Sequence, residues 1–378
     1  MTQPLRFRFP VRVFPRALCL FVATMPLASL VAFSPAVRAA DLFQLSTDET
    51  NALFDKAKVS VVQVRSGDKG FVLAGSGFFI DDQGTVLTSS TILGDNDSAR
   101  VVINGVEMDA KILGNDPRSG LSMLRVAYEE SPSLPLAHGS DLKTGDGVMM
   151  IGFPLDLPVA PSQGPVSGFD ASYLSRLDAG PSGKSSLAAI ERFATTHIHA
   201  NLTVSPGQVG GPLLNSRGEV VGLVATSPDN GRSIYALPVE AMNKIIADFT
   251  QYGHARYGWV GVNVAQAPDT NHDGRTVRVV QVVAGTPASE SGIRPGDTVM
   301  RIDEREIYHP SDVLDASFFS HVDDTMKVVV RREEKLYNYS FVVIERPQNP
   351  LSSSGSLPVA GSGSGRPIPA NHVAASPQ

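Results

Sequence analysis

The chain has 378 residues with 38 acidic and 32 basic side chains, a formal net charge of −6 at pH 7, which argues against nucleic acid and anionic lipid headgroups as partners. Its single cysteine, Cys19, falls in a segment expected to be removed, which excludes a disulfide framework, a thiol nucleophile and cysteine-ligated metal from the mature protein. The length left between the two ends suits two domains.

In residues 1–39, Arg6, Arg8, Arg12 and Arg16 precede an apolar run, Ala17 to Phe33, broken by Pro26, and Val37-Arg38-Ala39 offers small residues for cleavage. This is the pattern of a signal peptide, so the mature protein is expected to be exported without stable membrane insertion. Removing its five arginines leaves 27 basic against 38 acidic residues, a net charge of −11. Ser46 followed by Glu49 is a capping-box pattern that predicts a helix to about Lys58. Short β-branched runs follow at Val59–Arg65, Gly77–Ile80, Thr85–Thr88, Val101–Ile103, Leu121–Val126, Asp146–Pro154, Ala194–Val204, Val220–Thr226 and Ile234–Leu237, each bounded by turn residues. Many short strands without long helices mean an all-β barrel or sandwich. Val239, Met242, Ile245, Ile246 and Phe249 lie at helical spacing and close this unit with a helix to Tyr252. A second unit spans residues 253–346, in which Pro310-Ser311-Asp312 opens a helix to about Phe319 and Met326–Arg331 and Tyr337–Ile344 are strands. Residues 347–378 are rich in Ser, Gly and Pro and bury too little apolar surface to fold.

Three blocks in the first unit carry chemistry: GSGFFIDDQGTVLTSSTIL, Gly75 to Leu93; AKILGNDPRSGLSMLRV, Ala110 to Val126; and SPGQVGGPLLNSRGEVVGL, Ser205 to Leu223. Together they resemble the trypsin-like proteases of the HtrA/Deg family, whose nucleophile loop reads N-P-G-N-S-G-G-P-L. The resemblance implies a chymotrypsin/trypsin-like pair of six-stranded β-barrels over residues 40–252, and a periplasmic location. It also places the family's catalytic histidine on Thr91, its aspartate on Gly120 and its nucleophilic serine on Val209. Hydrolysis by such a triad needs nucleophile, base and orienter within hydrogen-bond reach, and none of these side chains can fill its role. The turn Gly207, Gln208 and Val209 keeps the family's oxyanion form, and Val209 is expected to project into the cleft. His138, His197 and His199 are the candidates for a relocated base, although the turn offers them no serine to activate.

In the second unit RYGWVGVNV, Arg256 to Val264, and GTPASESGIRPGDTVMRIDEREI, Gly285 to Ile307, resemble the PDZ domain of the same family. That likeness implies capture of an extended peptide by strand addition, with loop N–H groups on its terminal carboxylate. The implied site is Trp259, Val260, Gly261, Val262 and Val264, faced by Val313 and Ser317 one helical turn apart. Trp259 reads equally well as a residue packed against the first domain. Asp269, Asn271, Asp273 and Gly274 match the first half of a calcium loop, but its twelfth position is Val280 and not a carboxylate, so no metal and no cofactor are expected. These readings predict a pseudoprotease that binds peptides or unfolded proteins through their C-termini, as a holdase, an adaptor or a regulator of an active relative. The alternatives are an endopeptidase with rearranged catalytic groups, and an inactive subunit of a homo-trimer or mixed oligomer built on residues 42–54 through Phe43 and Phe54.

Overall fold

A computed structural model of the chain describes residues 47–67, 73–139, 141–170, 194–227, 231–269 and 273–347. The expected signal peptide, Ser46 of the capping box, Phe43, Asn271 and the C-terminal tail lie outside the described residues. Helix α1 (Thr47–Ala57) lays Leu53, Phe54 and Ala57 on the core. Phe54, expected at a subunit contact, is thus half-buried against its own chain, with Lys58 over its ring.

The first barrel is built from β1 (Val61–Ser66), β2 (Leu73–Phe79), β3 (Thr85–Ser89), β4 (Ala99–Ile103), β5 (Val106–Asp116) and β6 (Leu121–Val126), closed in the order β1-β2-β3-β6-β5-β4. The single turn α2 (Ser90–Leu93) follows β3. The second barrel has β7 (Gly147–Gly152), β8 (Ala160–Asp170), β9 (His197–Ala200), β10 (Pro212–Leu214), β11 (Val220–Thr226) and β12 (Ile234–Pro238), closed in the order β10-β11-β12-β9-β8-β7. Closure leaves no unpaired sheet edge. It also makes strands of residues with poor β signals: β5 carries Glu107, Asp109, Lys111, Asn115 and Asp116, and β8 carries two prolines and two glycines.

Helix α3 (Val239–Tyr252) turns its buried face, Val239, Ala241, Met242, Ile245 and Phe249, onto both barrels. It ends where Gly253 takes the left-handed conformation at φ +76° and its N–H bonds the Phe249 carbonyl at 3.0 Å, a glycine C-cap. The Phe249 ring packs over Gly114 of β5 so closely that a Cβ there would lie 2.4 Å from it.

The C-terminal domain contains β13 (Gly258–Trp259), β14 (Val262–Gln266), β15 (Val277–Val282), α4 (Pro287–Ser291), β16 (Thr298–Ile302), β17 (Arg305–Glu306), α5 (Pro310–Phe319), β18 (Thr325–Arg332), β19 (Lys335–Val342) and β20 (Ile344–Glu345). Its sheet runs β14-β15-β16-β18-β19, β17 pairs with β16, and β13 pairs with β20 in a small separate sheet. Val279, Ile302, Val328, Val330 and Phe341 form its core.

This domain is seated on the barrels through α5 and the segment before β13. Phe318 of α5 and Tyr257 belong to the same buried apolar cluster as Leu121, Leu237 and Phe249. Arg118 lies 4.4 Å and Lys244 4.8 Å from the centre of the Tyr257 ring, and the Tyr257 hydroxyl donates to the Asp116 carboxylate. Asp315 of α5 accepts hydrogen bonds from the Thr195 hydroxyl (2.8 Å), the Thr196 N–H (2.7 Å) and the Thr196 hydroxyl (2.8 Å).

Candidate functional site

The three motif blocks of the barrel domain meet at the junction of the two barrels. Gly210 lies so close to β3 that a Cβ would come 2.6 Å from the Thr88 hydroxyl and 3.0 Å from the Ser89 nitrogen. The Ser90 N–H donates to the Gly120 carbonyl at 2.9 Å. Ser89 sits between them, its hydroxyl bonded to the Ala225 carbonyl (2.9 Å) and placed 2.8 Å from the Thr91 hydroxyl. Thr91 itself is exposed. Its hydroxyl engages a buried serine hydroxyl, which has no charge to relay and no pKa near neutrality.

Gly120 takes φ +81°, a left-handed conformation that disfavours side chains, and a Cβ there would lie 3.2 Å from that of Ala225. Its N–H donates to the Asp116 carbonyl at 3.0 Å. This loop therefore holds its shape as a glycine turn. Val209 is half-buried and packs against the apolar core of the second barrel. An isopropyl group gains more from such apolar contact than from water.

The turn around Val209 is held by a residue that sequence reasoning passed over. Buried Ser76 donates from its N–H to the Val209 carbonyl (2.8 Å) and from its hydroxyl to the Gly207 carbonyl (2.8 Å), and accepts the Phe153 N–H (2.9 Å). Ser76 thus staples β2 of the first barrel to two loops of the second. Gln208 is also buried, and its side-chain oxygen accepts the Ser205 N–H at 2.8 Å. Among the described residues the N–H groups of Gly207 and Val209 have no protein hydrogen-bond partner, whereas the carbonyls on either side do.

The histidines are dispersed. His138 is exposed, and His199 is half-buried with its ring stacked 4.7 Å from that of Tyr235. His197 is fully buried, its Nδ1 2.9 Å from the Thr195 carbonyl. Burial pushes the His197 pKa down to about 4, against the opposing pull of that hydrogen bond and of the Asp315 charge. In the other domain Asp269 spends its carboxylate on the Asp273 N–H (3.2 Å) and the Gly274 N–H (2.9 Å), while Asp273 pairs with Arg331. These carboxylates serve a turn and an ion pair. A cavity of about 820 Å³ beside α1 is lined by none of the candidate residues.

The groove of the C-terminal domain lies along the outer edge of β14, which among the described strands pairs with β15 alone, and beside α5. Val260, Val262, Val264 and Val313 are half-buried on the domain core. Trp259 is half-buried within β13, paired with Ile344. The Ser317 hydroxyl, anticipated as a peptide contact, donates to the Gly258 carbonyl at 2.6 Å and ties α5 to the start of the loop.

Backbone geometry fixes where the loop N–H groups point. The Val260 carbonyl accepts the Ala288 N–H (2.9 Å) and the Gly261 carbonyl accepts the Val283 N–H (2.8 Å). In a trans peptide plane the N–H of the next residue points opposite to the carbonyl, and the chain has no cis bonds among its described residues. The Gly261 N–H therefore points away from α4 and the Val262 N–H away from β15, over the free strand edge. Gly261 makes this possible at φ +84°.

With this geometry established, the chain can be set beside known proteins. Residues 75–223 match the trypsin-like peptidase domain and residues 258–342 the PDZ domain. The chain thus carries a trypsin-like peptidase domain followed by a PDZ domain. It is 28% identical to a probable periplasmic serine endoprotease DegP-like of Hahella chejuensis, over 82% of this chain and 64% of that protein. A putative serine protease HhoB of Synechocystis is 24% identical over 69% of this chain and 64% of its own length. The chain thus spans under two thirds of the length of these relatives. Among solved structures, the HtrA-type protease AlgW with a tripeptide superposes with a TM-score of 0.65 at 22% identity, covering 79% of this chain and 97% of AlgW. AlgW with a decapeptide gives 0.62 at 20% identity, covering 79% and 99%. At these identities the superpositions speak for the fold, and the fold they share is the paired barrels followed by a PDZ domain.

Proposed function

We propose that this HtrA-like protein is exported, with residues 1–39 removed, and that it binds polypeptide C-termini without cutting them. The observation that carries the reading is the pairing of two geometries within one chain. At the cleft, Val209, Thr91 and Gly120 offer neither nucleophile, base nor orienter, and Gly120 sits at φ +81°. At the groove, the carbonyls of Val260 and Gly261 are tied back so that successive N–H groups face an open strand edge. Related proteases of this build are described as periplasmic, and AlgW is described in complex with peptides. Among the described residues no helix is long and apolar enough to cross a membrane.

Binding proceeds by strand addition: an extended peptide pairs with β14 while its terminal carboxylate takes the Gly261 and Val262 N–H groups. The apolar surface of Val260, Val262, Val264 and Val313 selects an apolar final side chain. Such a protein serves as a holdase, an adaptor or a regulator of an active relative. The test uses the whole mature chain, since Tyr257 and Phe318 of the PDZ side are buried in the barrel core. Unfolded casein should remain intact and a fluorophosphonate should not label the protein. Peptides ending in a free carboxylate should bind more tightly than their amides by about 1.5–3 kcal/mol, the range for hydrogen bonds to a charged group. Casein turnover abolished by His199→Ala would overturn the non-proteolytic reading, and equal affinity for acid and amide would overturn carboxylate capture.

A further inference from the structure

The PDZ groove depends on a residue that does not line it. Thr286 is buried at the N-terminus of α4, and its hydroxyl donates to the Val283 carbonyl at 2.6 Å. The Val283 N–H in turn donates to the Gly261 carbonyl at 2.8 Å. On its other side the Thr286 side chain presses on the face of Gly261: a Cβ on Gly261 would lie 2.1 Å from the Thr286 Oγ1, 2.4 Å from its Cβ and 2.6 Å from its Cγ2. Thr286 is itself held by a reciprocal pair of hydrogen bonds with Ser289, and two residues on the Ala288 N–H takes the Val260 carbonyl at 2.9 Å. Both peptide planes that present the groove N–H groups are therefore fixed from one short segment, with Thr286 at its head.

Resting on the carboxylate-binding reading above, we propose that Thr286 is the positioning residue of the site, whose hydroxyl, by holding Val283, aims the Gly261 and Val262 N–H groups at the terminal carboxylate of the ligand. Two demands meet at this position. The methyl-bearing side chain fills the volume that keeps residue 261 a glycine, and the hydroxyl fixes the partner of the Gly261 carbonyl. Removing the hydroxyl frees the Val283–Ala284 peptide plane and with it the backbone torsions of Val283 that aim its N–H at the Gly261 carbonyl, and the N–H of Val262 swings with that carbonyl because they share a plane. The strand edge of β14 keeps its ability to pair, so the loss falls on recognition of the carboxylate and not on peptide pairing as such.

The experiment compares one fluorescent decapeptide with an apolar final residue, as free acid and as amide, on the full mature chain and on two variants. Thr286→Val keeps the shape and drops the hydroxyl. It should lower affinity for the acid about tenfold, the scale of one hydrogen bond to a charged group, and leave the amide within about twofold. Thr286→Ser keeps the hydroxyl and should retain most of the acid preference. A Thr286→Val protein that prefers the acid as strongly as the parent, or a Thr286→Ser protein that loses as much as Thr286→Val, overturns the positioning role while leaving carboxylate capture standing. No acid preference in the parent chain overturns carboxylate capture and the positioning role together.

Discussion

Asp315, on the helix beside the proposed peptide groove, accepts both the N–H and the hydroxyl of Thr196 in the barrel domain, at 2.7 and 2.8 Å. With Thr195 as a third donor and Arg305 at 3.6 Å, the carboxylate is buried and fully engaged between the two domains. The faces of α5 are thus divided: Val313 packs on the core of its own domain, whereas Asp315 and Phe318 bind the barrels.

Asp315→Ala should loosen this seat. It strands the Thr195 and Thr196 donors in a buried interface, and we expect a loss of about 1.5–3 kcal/mol, the worth of hydrogen bonds to a charged group. Urea denaturation read by Trp259 fluorescence measures it. A midpoint equal to that of the parent would show that the contact is not formed in solution.

Restoring the serine should not restore hydrolysis. Val209→Ser still lacks a base at Thr91, and triad members act as a unit. Adding Thr91→His and Gly120→Asp supplies the missing groups, but aspartate at φ +81° is strained by about 1–2 kcal/mol, so the triple variant should melt below Val209→Ser, Thr91→His. Casein hydrolysis by Val209→Ser alone would refute the first expectation, and equal melting of the double and triple variants the second.

Gly261→Val should abolish carboxylate recognition more completely than any groove substitution. The residue would need φ +84° and would place its Cβ 2.1 Å from the Thr286 hydroxyl, so the loop must refold. We expect acid and amide peptides to bind Gly261→Val equally weakly. A retained acid preference would place the carboxylate elsewhere.

Acid should destabilise the protein through His197. Its folded pKa, near 4, lies below the unfolded value of 6.5, so between these limits the unfolded chain binds more protons. Stability from this group is full above about pH 6.5 and is lost as the pH falls towards 4, by roughly 3 kcal/mol in total. His197→Gln should flatten this part of the profile. Urea midpoints at pH 4.5 and 7 that differ as much in the variant as in the parent would contradict it.

Much of the fold was legible in the residues because the motif blocks are contiguous. The GSG and GQVGG segments carry their turns in a few neighbouring residues, so β-branched runs between turn residues disclose an all-β barrel or sandwich, and the motif resemblance implies the paired barrels and the positions of Val209, Thr91 and Gly120. The GWVGV loop and the helix at Pro310–Phe319 were similarly local. What the sequence could not show is whatever depends on residues far apart in the chain. β5 and β8 look like poor strands and become strands only because barrel closure supplies partners on both sides. Ser76, 131 residues from Gly207, staples the turn, and Asp315 meets Thr195 across 120 residues. Val209 packs against the second-barrel core, and the Ser317 hydroxyl is tied to Gly258, neither of which a one-dimensional pattern can specify. Local propensity and spacing determine turns and periodic faces, whereas the direction of an N–H, the engagement of a buried carboxylate and the pKa of His197 follow from packing between distant segments, and only the tertiary structure decides them.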